Sequence, residues 1–67
     1  MSFGKRVKQR RKEIGLTQKE ASEKSGISPA HWAFFEQETR MPSTENLIKI
    51  KRTLASSYDW LLEGEKG

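Results

Sequence analysis

Lys5, Arg6, Lys8, Arg10, Arg11 and Lys12 are six of the thirteen basic residues in the chain, and all of them precede the first acid, Glu13. Cations clustered this closely are suited to displacing counterions from a polyanion such as a phosphate backbone. The other end has the opposite sign, with Asp59, Glu63 and Glu65 set against only Lys66. The net charge is +4 at pH 7, so it is the distribution, more than the total, that makes a polyanionic partner the expectation.

Other chemistry finds little support. One histidine, His31, and no cysteine leave neither a zinc ligand set nor a disulfide framework, so no metal and no cofactor is expected. No nucleophile stands with a base and no carboxylate pair occupies a pocket-forming segment, which sets an enzyme and a small-molecule substrate aside. No apolar run approaches the roughly 18 residues of a membrane span, and the basic start lacks the apolar stretch of a secretory signal. A soluble, intracellular protein without a membrane partner is the expectation.

The elements that must position these residues are short. At 67 residues the chain falls below the roughly 70 to 80 at which one core is comfortably sustained, so positions 1–67 are read as a single domain. Two Trp, three Phe and one Tyr in a chain that is 33% hydrophobic argue that it folds. Phe3, Val7 and Ile14 share one helical stripe that Gly15 ends, which gives helix one. Thr17 and Glu20 have capping-box spacing, with Leu16 and Ala21 as a staple, so helix two runs from about Gln18 to Ser25. Ser28 before Pro29 pairs an N-cap with a proline at the first helical position, Ile27 and Trp32 form a second staple, and helix three continues to about Gln37. Ser43 caps a fourth helix with a Leu47, Ile50 and Leu54 stripe flanked by Ile48. Ser57 caps a fifth, Tyr58 to about Glu63, in which Trp60, Leu61 and Leu62 supply the buried side. No segment alternates as a strand would. The fold class is all-α, five short helices.

Only Gly26 and Ile27 separate helix two from the cap of helix three, which is helix-turn-helix spacing. By helical spacing Ser28, Ala30, His31 and Phe34 line the outward face of helix three, while Trp32 and Phe35 with Ile27 form its inner face. Helix two offers only Ala21, Ser22 and Ser25 there, so the aromatics fill the volume it leaves.

From Phe3 to Gly64 the chain resembles the helix-turn-helix domain of lambdoid phage repressors and Cro proteins, the wider Xre family. The resemblance rests on Arg11 to Gln18 (RKEIGLTQ), Gly26 to Ser28, Glu36, Pro42-Ser43 and Asp59-Trp60-Leu61-Leu62. It implies a lambda-repressor-like DNA-binding domain, a cytoplasmic transcriptional regulator of a bacterial cell or phage-infected host. Helix three would enter the major groove of double-stranded operator DNA, usually within a two-fold dimer. Gln18, with Thr17 beside it, matches the start of helix two, where the family glutamine holds a phosphate and braces the recognition helix; the alternative is a solvent-facing first-turn residue. Arg11 and Glu36 match a structural pair joining helix one to the end of helix three, with Arg11 also a candidate for phosphate. Arg40 matches a loop site that meets the DNA backbone, and Lys5, Arg6 and Lys8 are candidates for the same contact.

Relatives often carry Gln, Lys, Arg or Asn at the positions of Pro29, Ala30 and Phe34. Here all three are apolar, which leaves base reading weak or directed at thymine methyl groups. Phe34 has two open readings, base contact or packing on a partner protein or beside helix four. His31 is read as a phosphate contact or a plain exposed side chain. Glu38 stands where a Gly often ends helix three, and Ser56 where an apolar residue is usual. The resemblance places a dimer contact around Ser56, Tyr58 and Leu62, weak in solution and strengthened on DNA. The competing class is a protein-interaction module of antitoxin or antirepressor type that uses Ala30 and Phe34 against a protein.

Overall fold

A computed structural model describes residues 2–64 and forms them into five helices, α1 (Phe3–Glu13), α2 (Gln18–Ser25), α3 (Pro29–Gln37), α4 (Thr44–Leu54) and α5 (Tyr58–Glu63). The all-α expectation agrees with this architecture. Glu65 and Lys66 of the acidic ending, and the two ends of the expected 1–67 domain, lie outside the described residues.

Hydroxyl side chains start every helix. Ser2, Thr17, Ser28, Ser43 and Ser57 each accept a hydrogen bond from the backbone N–H three residues on, which satisfies one donor that the helix leaves orphaned. At α2 the arrangement is reciprocal: Glu20 N–H donates to Thr17 Oγ1 at 3.0 Å and Thr17 N–H donates to Glu20 Oε1 at 2.9 Å. Replacing Thr17 by Ala is expected to cost about 1 kcal/mol, or roughly 4 to 8 °C of melting temperature in a domain of this size. A thermal melt that overlays the parent's would show that the cap contributes nothing.

The core joins Phe3 and Val7 of α1, Ala21 of α2, Ile27 of the turn, Trp32 and Phe35 of α3, Ile50 and Leu54 of α4 and Leu61 of α5. Ile14, Leu16, Leu47 and Trp60 pack around it, partly buried. Leu62 departs from expectation. Adjacent residues on a helix point about 100° apart, so a six-residue helix that buries Leu61 completely turns Leu62 outward, where it is 45% exposed.

Gly4 sets how closely α1 approaches α3. A Cβ there would collide with the backbone carbonyl of Glu36 and lie 2.8 Å from that of Phe35, so only glycine lets the start of one helix rest on the end of the other. Glu38, left-handed at φ 62° without being glycine, completes the junction. Its Oε1 accepts the Gly4 N–H at 2.9 Å. That backbone bond, the Ser2 hydroxyl and nearby Lys5 and Arg6 hold its carboxyl below the usual range against slight burial. The Ser56 departure is also absorbed: Ala55 takes the left-handed position at φ 51°, Ser56 N–H donates to Lys51 O, and the Ser56 hydroxyl donates to Leu54 O.

Candidate nucleic-acid interface

The turn between α2 and α3 begins at Gly26, whose φ of 77° lies in the left-handed region that glycine occupies without strain. Its N–H donates to Ser22 O, Ile27 is buried, and Ser28 and Pro29 open α3 at once. α3 then divides by face. Trp32, Phe35 and Glu36 are buried, whereas Ser28, Pro29, Ala30 and His31 are exposed and Phe34 is half-buried.

One carboxylate fixes that division. Glu36 Oε2 accepts from Arg11 Nε at 2.6 Å and from Trp32 Nε1 at 2.6 Å; Oε1 accepts from Arg11 Nη2 at 3.1 Å and from Gln18 Nε2 at 3.0 Å. Helices α1, α2 and α3 therefore meet at a single side chain. Burial pushes the Glu36 carboxyl upward, but the hydrogen bonds from Arg11, Gln18 and Trp32, with the Arg11 charge, outweigh it and hold the group below the usual range. The expected Arg11 and Glu36 pair is present. Arg11 is 8% exposed at its side chain and Nη1 also donates to Leu16 O at 2.8 Å, so three of its five N–H donors are engaged within the fold. Gln18 braces α3 through Glu36 and remains half-buried at the first turn of α2, beside exposed Thr17.

The basic cluster separates by residue type. Arg6, expected at the surface, is buried, with Nε donating to Leu61 O at 2.9 Å and Nη2 to Leu62 O at 3.0 Å. Arg10 Nε donates to Leu54 O at 2.9 Å. Carbonyls in the last turn of a helix carry partial negative charge, so these arginines tie the ends of α5 and α4 to α1. Lys5, Lys8 and Lys12 remain exposed. A signal for this was available, since Phe3, Arg6, Val7, Arg10 and Ile14 follow one i, i+3, i+4, i+7 stripe.

On the outward surface His31, Phe34 and Arg40 form a row. The Ser28 hydroxyl and His31 Nδ1 share a hydrogen bond of 2.6 Å, the His31 and Phe34 rings meet edge to face at 6.0 Å, and Arg40 Cζ lies 4.9 Å from the Phe34 centroid. Away from this row, Tyr58 and Leu62 are exposed one turn apart on α5, after half-buried Ser56. Lys51 Nζ lies 5.0 Å from the Tyr58 ring centroid. No helix among the described residues is long and apolar enough to cross a membrane.

Comparison with known proteins matches these features. The HTH-type transcriptional regulator ImmR of Bacillus subtilis (strain 168) is 42% identical over 62 residues, 92% of this chain and 49% of that protein. An uncharacterized HTH-type transcriptional regulator from the same organism, YqaE, is 36% identical over 63 residues, 94% of this chain and 54% of that protein. The chain thus spans about half the length of the curated relatives it matches. The P22 c2 repressor, solved with a synthetic operator, superposes with a TM-score of 0.91 at 29% identity, covering 97% of this chain and 98% of that one. SinR, a master regulator for biofilm formation solved with DNA, gives 0.83 at 35% identity, covering 88% of this chain and 98% of that one. A family model described as Helix-turn-helix matches residues 7–61, and the chain belongs to that family, in its Xre, or Cro and C1 repressor, branch.

Proposed function

We propose that the chain is a sequence-specific DNA-binding transcriptional regulator that inserts α3 into the major groove of double-stranded operator DNA. The observation that carries this is the division of α3, an exposed face of Ser28, Pro29, Ala30 and His31 backed by a buried face fastened at Glu36 to two other helices. A reading surface needs such backing, because base edges discriminate only when the side chains facing them hold position. The P22 c2 repressor and SinR, solved with operator and DNA respectively, support the same reading. Phosphate contact falls to exposed Lys5 and Lys8 and to Thr17 and Gln18 at the start of α2, where the helix dipole also favours an anion.

One helix reads only a few base pairs, so a useful operator is a pair of half-sites bound by a two-fold dimer, with recognition helices about 34 Å apart. Tyr58 and Leu62, with Ser56, form the contact in this reading, weak in solution and strengthened on DNA.

Titration of duplex DNA at several salt concentrations tests the proposal. Affinity should fall with salt by roughly 0.9 in the log-log slope for each phosphate neutralised, and Lys5→Ala or Lys8→Ala should each flatten the slope by about that amount. A slope near zero for the unmodified chain removes the DNA-binding reading. Duplexes selected from a random pool should be inverted repeats, and selection of unpaired sites would remove the two-fold dimer alone.

A further inference from the structure

We propose that Arg40 is a base-reading residue, which together with Phe34 recognises a step that places a guanine beside a thymine. The inference rests on the DNA reading above and names what part of that surface selects.

Arg40 differs from Arg6, Arg10 and Arg11 in what its guanidinium does. Those three donate to carbonyls or to Glu36. Arg40 is exposed, and among the described residues its one contact is the face of Phe34. An aromatic face attracts and orients a guanidinium without consuming any of its five N–H donors. The pair therefore presents a planar fork, already placed, with its hydrogen-bonding capacity intact.

Its location favours a base edge over a phosphate. Phe34 lies one turn beyond Ala30 on the outward face of α3 and meets His31 edge to face. The chain between Phe34 and Arg40 is fixed, since the Thr39 N–H and hydroxyl both donate to Phe34 O, at 3.1 and 3.3 Å. Arg40 is thus held beside the outward face of α3. From Ser28 to Phe34 that face also lacks a bidentate donor: Pro29, Ala30 and Phe34 have none, and Ser28 and His31 bond each other. Gln37, exposed at the end of α3, has an amide that matches adenine, but no exposed side chain of α3 offers the fork that fits guanine, and Arg40 is placed to supply it.

The chemistry of the two groups names the step. The arginine fork matches O6 and N7 of guanine, and an apolar ring matches the C5-methyl group of thymine. Lysine, a point donor, does not reproduce the fork.

The test begins with an operator selected from random duplexes by the 67-residue chain. Arg40→Ala should lose roughly 5- to 150-fold on that operator, the range of one bidentate base contact, and far less on random duplex. Arg40→Lys should not restore it. In the parent, 7-deazaguanine at one guanine of each half-site should reproduce the loss, and the same DNA should make no difference to Arg40→Ala. Uracil in place of the neighbouring thymine should cost about fourfold, the worth of one methyl group, a penalty that Phe34→Ala erases. The modified bases act without any change to the protein, so the result does not depend on how well a variant folds. Equal losses for Arg40→Ala on operator and random duplex, with 7-deazaguanine silent at every position, would make Arg40 a backbone contact and overturn the proposal while leaving DNA binding intact. A guanine requirement that disappears with Gln37→Ala instead would overturn it too. Failure to select any operator, with salt-independent affinity, would remove the DNA reading itself and this inference with it.

Discussion

Glu36→Ala is expected to leave the domain unfolded at 37 °C. The substitution takes the acceptor from four hydrogen bonds at once and strands the Arg11 guanidinium, whose side chain is only 8% exposed, in the interior. Removing one partner of a buried ion pair costs roughly 3 to 5 kcal/mol. Whole domains are stable by only about 5 to 15 kcal/mol, and a chain this small falls at the lower end. Urea titration at 10 °C, where some folded variant survives, should show a much lower midpoint with α1, α2 and α3 loosened together. Melting within about 2 °C of the parent, less than the shift expected from even 1 kcal/mol, would mean that the carboxylate does not join the three helices as described.

The same group gives stability a pH dependence of definite sign. The Glu36 carboxyl is held below its ordinary value in the folded chain, so the folded state favours the ionised form. Its contribution is fully present above the unfolded pKa of about 4.3 and is lost as pH falls through the lower, folded value. Glu20 and Glu38 are lowered as well, each chiefly by a backbone N–H, but they are exposed and persist in Glu36→Gln. The parent should therefore lose more stability than Glu36→Gln on acidification below pH 4.3.

Helix starts were legible in the sequence because a hydroxyl before each apolar stripe has one use there, and all of Thr17, Ser28, Ser43 and Ser57 cap as the spacing predicts. The turn was legible for a similar reason, Gly26 being the residue that takes a left-handed φ freely. Arg6 and Arg10 were legible only through their place on the apolar stripe of α1, a signal that the basic run around them masks: a charge in such a run reads as exposed, whereas a long aliphatic stem lets guanidinium groups lie along the core stripe and reach the ends of other helices. Glu38 was missed for a different reason. Its partner, the Gly4 N–H, is 34 positions away, and no periodicity within one helix encodes a contact between two. The outward residues of α3 could be placed on a face from the sequence alone; that Arg40 lies over Phe34 required the path of the loop.

Trp32→Ala is the second large effect expected. Trp32 has no exposure and sits in the core with Ile27 and Phe35, where helix two contributes only the small Ala21 and Ser22 as buried side chains. Truncating a buried aromatic costs roughly 3 to 5 kcal/mol, part transfer and part residual cavity, and small neighbours cannot close the space. Trp32 also donates its indole N–H to Glu36 at 2.6 Å, so packing and the polar junction weaken together. Trp32→Phe separates the two: it keeps most of the ring but removes the donor, and should cost less than Ala. Its effect should shrink further when Glu36 is already Gln, because residues in one hydrogen-bonding network do not add independently. Chemical denaturation of the single and double variants measures that coupling. A Trp32→Ala variant that melts with the parent would mean that α3 is rotated and a different face meets the core. Independent, additive costs for Trp32→Phe and Glu36→Gln would leave the aromatic packing intact but remove the indole from the junction that holds α3 in place.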